Sequence, residues 1–122
     1  MPNPVVHFEI LGKDGQKLQT FYSQLFGWHI DANNPMSYGL VDTHTEGRGI
    51  GGGIGAAGEQ GHPGTTIYVE VPALQPYLDK VVSLGGKVLV PETVIPNMVT
   101  FALFADPEGN VVGVTKEEPP HT

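Results

Sequence analysis

The sequence predicts an α+β fold: two tandem βαβββ modules forming an eight-stranded, cup-shaped mixed sheet with two outer helices. Three observations predict it. The stretch VVHFEI near the start alternates apolar and polar residues with the period of a strand. Two later stretches carry apolar residues at helical spacing, and each is closed by glycine. The second half of the chain also repeats the first. SQLFGW at Ser23 to Trp28 lies over VSLGGK at Val82 to Lys87, a shift of 59 residues, and the same shift lays His7 to Ile10 over Thr66 to Val69. A shift of 62 lays Pro35-Met36 over Asn97-Met98, and Glu46 to Gly52 over Glu108 to Val114.

The elements follow in order. Val5 to Leu11 reads as a strand with Val6, Phe8 and Ile10 on one face and His7 and Glu9 on the other. Leu18, Phe21, Tyr22 and Leu25 form an amphipathic helical stripe stopped by Gly27. Trp28 to Asp31, Met36 to Asp42 and Arg48 to Gly55 read as strands, separated by turns at Asn33-Asn34-Pro35 and Glu46-Gly47. Ala56 to Gly64 is a linker. Thr65 to Val71 is the next strand, and Leu74, Tyr77, Leu78, Val81 and Val82 make the second helical stripe, closed by Gly85-Gly86. Lys87 to Pro91, Met98 to Ala105 and Asn110 to Lys116 complete the strands, with a DPEG turn before the last. One such module cannot cover both faces of its sheet alone. Pairing two copies buries the helix side and leaves a concave face between them.

Composition narrows the function. With 122 residues, the chain is one domain with a real core. Its net charge is -7 and its six basic residues are scattered, which argues against nucleic acid as a partner. No apolar run approaches membrane-spanning length, and the start lacks the features of a signal peptide, so the cytoplasm is the expected location. Without cysteine there are neither disulfides nor thiolate metal sites.

Taken in order, VVHFEI, the Phe21-Tyr22 and Phe26 to Trp28 pair of motifs, and the closing FADPEGNVVGV resemble the vicinal oxygen chelate superfamily. That superfamily includes glyoxalase I, bleomycin-resistance proteins and extradiol dioxygenases. The likeness spans Val5 to Lys116 and reads the chain as a single glyoxalase-like domain over 1–122, with module one at 4–56 and module two at 64–117. The resemblance implies a divalent metal in the cup, held by the first and last strand of each module. Carried over, those positions are His7, Gly51, Thr66 and Gly113, and only His7 is a ligand-type residue. A catalytic site usually takes three protein ligands. Glu9 adds a second at most, since residues two apart on a strand are separated by about 6–7 Å. No metal and no other cofactor is therefore expected.

The expected role is binding a small organic molecule in a metal-free cup. His7 and Glu9 are the best candidates for acid/base work, His7 because a neutral imidazole acts on either side near neutrality. Thr66 and Tyr68 share their parity in the second module. Tyr38 and its approximate counterpart Thr100 join the cup if the meander keeps its register, and a one-residue slip brings in Phe101 instead. Gly51 and Gly53, with Gly49, are expected to widen the cavity and let a ligand approach the backbone. GRGIGGGIG is not a phosphate loop, because no helix follows it. His29, His44, His62 and His121 read as solvated, and Asp106 and Glu108 as turn residues. Two other functions compete. One is a metal-dependent lyase, isomerase or dioxygenase of the glyoxalase type, which would bring a divalent metal. The other is a structural or interaction protein with a filled cup. The resemblance allows a homodimer.

Overall fold

The predicted elements form in the computed structural model, which describes residues 2–58 and 63–117. They are β1 (Val5–Gly12), α1 (Gly15–Phe26), β2 (His29–Asp31), β3 (Gly39–Asp42), β4 (Gly51–Ala56), β5 (Gly64–Val71), α2 (Leu74–Ser83), β6 (Lys87–Ile95), β7 (Val99–Ala105) and β8 (Val111–Lys116). The α+β class and the tandem βαβββ order are thus as predicted, with eight strands in mixed pairing and two helices among the described residues. The chain divides into two units, Val6–Thr66 and Ile67–Thr122 with Met1–Val5.

In the first unit the strand order is β2-β3-β4-β1. β1 and β4 run parallel, with His7 opposite Gly51 and Glu9 opposite Gly53, and the other pairs are antiparallel. Asp14 caps α1 by accepting from the Lys17 amide at 3.0 Å, and Gly27 ends it in the left-handed conformation at φ 72°. The helix is turned relative to its apolar stripe. Its inward side carries Gly15, Leu18, Gln19, Tyr22 and Ser23, while Phe21 and Leu25 stay exposed. Two of the inward residues are polar and spend their hydrogen bonds on backbone. Gln19 Nε2 donates to the Ile54 carbonyl at 2.7 Å and the Ser37 carbonyl at 3.1 Å, and Ser23 Oγ donates to the Trp28 carbonyl at 3.1 Å. Under the helix, Trp28 stacks on Tyr22 and tilts against Phe8, while Val41 and Ile54 are buried. A Cβ at Gly52 would clash with the Phe8 ring, so this glycine makes room for the aromatic core.

The second unit repeats the order as β5-β8-β7-β6, with β5 and β8 parallel. Val71, Leu74, Leu78, Ala102 and Val114 form its core, and Val69, Tyr77, Val88 and Phe104 pack on it. Full burial of a side chain such as Leu74 stabilises by about 1.5–3 kcal/mol.

Three strand boundaries differ from expectation by more than one residue. β3 starts at Gly39 rather than Met36, because the Asn34 side chain and carbonyl hold the backbone of Ser37 and Tyr38 in a turn, with Ser37 at φ 52°. β4 starts at Gly51 rather than Arg48. Thr45 and Arg48 exchange two backbone hydrogen bonds in a tight turn, and Gly49 sits at φ 101°. β6 runs through Pro91 to Ile95. The proline falls in the register break between Val90 and Thr93, where the ladder asks for no donor.

Candidate functional site

The polar face of β1 carries the chemistry in the first unit. Parallel pairing puts His7, Glu9, Gly51 and Gly53 on one face of two adjacent strands. The turn before β3 delivers Tyr38 to the same place. Its hydroxyl donates to Glu9 Oε2 at 2.9 Å and lies 3.0 Å from His7 Nε2. The phenol has one proton, and that proton goes to the carboxylate. His7 therefore presents Nε2–H to the phenol oxygen. Burial holds the His7 imidazolium below its ordinary value of 6.5, outweighing the Glu9 carboxylate that pulls the other way. A neutral imidazole donating through Nε2 satisfies both observations.

Tyr38 is fixed from behind. Asn34 Nδ2 donates to its carbonyl at 2.8 Å, and Asn34 Oδ1 accepts from its amide at 3.0 Å. Gln19 holds the neighbouring Ser37 carbonyl. Sequence reasoning missed both residues. The signal for Asn34 was its place in the Asn33-Asn34-Pro35 turn, where amide side chains bond nearby backbone. The signal for Gln19 was weaker, a polar residue one turn from Gly15 and Ser23.

Gly53 is where the arrangement departs from expectation. A Cβ there would land on the Tyr38 hydroxyl, so the missing side chain seats the phenol instead of widening a cavity. Gly49 does not widen one either, since a Cβ there would meet Thr43. Gly51 is open: a Cβ would touch only the Val41 carbonyl oxygen, at 3.5 Å.

In the second unit, pairing sets Tyr68 opposite Gly113, as His7 stands opposite Gly51 in the first. The shift of 59 matched His7 to Thr66, and the strand pairing corrects the counterpart to Tyr68. Thr66 is half-buried two residues earlier on the same strand face. Tyr68 is buried, and its ring fills the space a Gly113 side chain would need. Leu103 opposes Gly113 and Phe101 opposes Thr115. Phe101 therefore shares the face of Tyr68, whereas Thr100 has the parity of Ala102 in the helix-side core.

Among the described residues, no three His, Cys, Asp or Glu side chains come together in a group able to hold a metal. His44 Nδ1 lies 2.8 Å from Asp42 Oδ1, on the exposed surface. The His44 backbone N–H, then its ring, holds the Asp42 carboxyl below its usual value. Asp106 is likewise lowered, first by the Asn110 side chain and then by turn amides, as its DPEG position predicts. His62 and His121 lie outside the described residues. A separate apolar cleft of about 310 Å³ opens between α2 and its sheet, lined by Val69, Val71, Tyr77, Val81, Leu84 and Phe104.

The comparisons with known proteins agree with the fold. The family model described as the Glyoxalase/Bleomycin resistance protein/Dioxygenase superfamily matches residues 5–114. No curated protein matches the sequence. Among solved structures, a hypothetical protein from Bacillus halodurans superposes with a TM-score of 0.66 at 12% identity, covering 100% of this chain and 99% of that one. A superfamily member from Vibrio splendidus gives 0.63 at 14%, covering 95% and 100%. A variant of Streptomyces coelicolor methylmalonyl-CoA epimerase, in complex with 2-nitronate-propionyl-CoA, gives 0.63 at 14%, covering 98% and 100%. At these identities the likeness to each structure is one of fold.

Proposed function

The chain belongs to the glyoxalase/bleomycin resistance protein/dioxygenase superfamily, and from that premise we propose that it binds a small organic molecule, without a metal, at the face carrying His7, Glu9 and Tyr38. The single observation behind this reading is the hydroxyl of Tyr38, hydrogen-bonded to both His7 and Glu9. His7, which stands where the fold family implies a metal ligand, shares a phenol hydroxyl with Glu9 instead.

The donors present do not fit a divalent ion. His7 Nε2 and Glu9 Oε2 already share the Tyr38 hydroxyl, and the residue facing His7 across the strand pair is a glycine. The counterpart of His7 in the second unit is a tyrosine, itself opposite a glycine. Two ligands fall short of the three that a catalytic metal usually takes. The groups gathered at this face, an imidazole, a carboxylate, a phenol hydroxyl and the open backbone at Gly51, are suited to hydrogen-bonding an organic ligand. The binding role is proposed for the cytoplasm. No helix among the described residues is long and apolar enough to cross a membrane.

Titration calorimetry with Ni²⁺, Zn²⁺, Mn²⁺ and Fe²⁺, run beside a thermal-shift panel of small organic molecules, tests the reading. The expected result is no saturable metal site, and stabilisation by a subset of organic compounds that is lost in His7→Ala. A tight 1:1 metal site abolished by His7→Ala would replace this reading with the metal-dependent lyase, isomerase or dioxygenase.

A further inference from the structure

We infer that the surroundings of the Tyr38 hydroxyl are a hydroxyl-binding cradle, that its ligands are monophenols, and that Tyr38 is an internal competitor for it. This deepens the binding reading above and rests on it. The cradle consists of His7 Nε2–H, the Glu9 carboxylate and the side-chain-free backbone of Gly53.

The donor and acceptor pattern selects the class. A cation pairs with Glu9 but meets the N–H of His7 with no acceptor. An anion accepts from His7 and is repelled by Glu9. An ether or carbonyl accepts from His7 and offers Glu9 nothing. Only a group that accepts and donates through one atom satisfies both partners, which stand 3.0 and 2.9 Å from the Tyr38 oxygen. A hydroxyl is that group. Water meets the same requirement, so the ring makes the difference. The hydroxyl now held by both partners is borne on an aromatic ring, which lies 18° from the His7 plane with centroids 6.4 Å apart, so the occupant seen is a flat aryl hydroxyl. A phenol is also a stronger donor to a carboxylate than an alcohol, because its proton is more acidic and the acceptor is charged.

Displacement is local. The backbone of Tyr38 is clamped by Asn34, so the phenol leaves by side-chain rotation while β3 stays in place. Binding to a cradle that is occupied internally is weakened by the fraction of time it is vacant. Removing Tyr38 should therefore strengthen binding, the opposite of what deleting an ordinary contact residue does.

The probe is p-cresol, which reproduces the tyrosine side chain, followed by NMR through the His7 ring and amide signals. The wild-type protein should bind it saturably. Tyr38→Ala should bind it about tenfold more tightly or better, and Tyr38→Phe, which keeps the ring and loses only the hydroxyl, should also gain. Adding Glu9→Leu to either variant should cancel the gain. The methyl ether, 4-methylanisole, should bind to none of them. The inference is overturned by no saturable p-cresol binding to the wild type, by no gain in either Tyr38 variant, or by equal binding of the ether. Wild-type protein stabilised by non-hydroxylic compounds but not by p-cresol would keep the binding role and lose the cradle. A tight metal site would remove both.

Discussion

At the scale of single residues, His7 ties the site to pH. Its folded-state value is depressed below 6.5, so the unfolded chain binds more protons in the window below that value. The stability linked to the neutral imidazole is fully present above 6.5. It is lost as pH falls through the lower folded-state value. Thermal melts of wild type and His7→Gln from pH 7.5 to 5 should therefore converge as pH falls, with the wild type losing more, and the His7 ring should titrate below 6.5 by NMR. An unchanged difference across that range would place His7 in a solvated setting. Gly53 carries the second prediction. Gly53→Ala puts a methyl group where the Tyr38 hydroxyl sits, and should cost about 1–3 kcal/mol and shift the Tyr38 and His7 signals together. Loss of stability with unmoved signals would mean that the backbone, not the phenol, gives way. His7 and Glu9 were legible from strand parity alone. Tyr38 was legible as a candidate, but its role was not, because a hydrogen bond across 31 residues of sequence depends on a turn that no period reports.

Elements show why the two helices differ in how they were read. α2 buries most of the stripe its sequence advertises, with Leu74 and Leu78 buried and Tyr77 and Val81 half-buried, and leaves only its last member, Val82, exposed. In α1 the advertised stripe is only partly used, because the inward face needs Gln19 and Ser23 to satisfy the backbone of β4 and of the turn into β2. Gln19→Leu would preserve volume and raise helix amphipathicity. It should nonetheless destabilise by about 1–3 kcal/mol in denaturant unfolding, since it strands the carbonyl of Ile54, whose side chain is fully buried. Leu78→Ala should cost about 2–5 kcal/mol, in line with a cavity in the core beneath α2. The repeat was legible at the helices, whose starts at Gly15 and Leu74 are 59 residues apart. It misled at the strands. His7 precedes Gly15 by eight residues and Tyr68 precedes Leu74 by six, so the helix shift lands two residues short on β5. Strand-to-helix spacing, not side-chain pattern, was the missing quantity.

For the whole molecule, charge is the property that sequence alone determines. Thirteen acidic residues face six basic ones. Among the described residues the ion pairs are His44 with Asp42 and Arg48 with Glu46, both exposed and of little energetic weight. Repulsion therefore outweighs attraction over the surface. The melting temperature should rise as NaCl goes from about 10 to about 200 mM at neutral pH, and a fall would point to ion pairing that carries stability. The glycines hold one last consequence. Tyr68 fills the space over Gly113 as Tyr38 fills it over Gly53, while Gly51 stands open. A mutation giving Gly51 a side chain can be accepted in a single step. At Gly113 or Gly53 the tyrosine must go first, and its loss removes a ring already packed there. Lineages leaving this sequence therefore face an ordered path: placing a side chain at either filled position requires two changes, the tyrosine first.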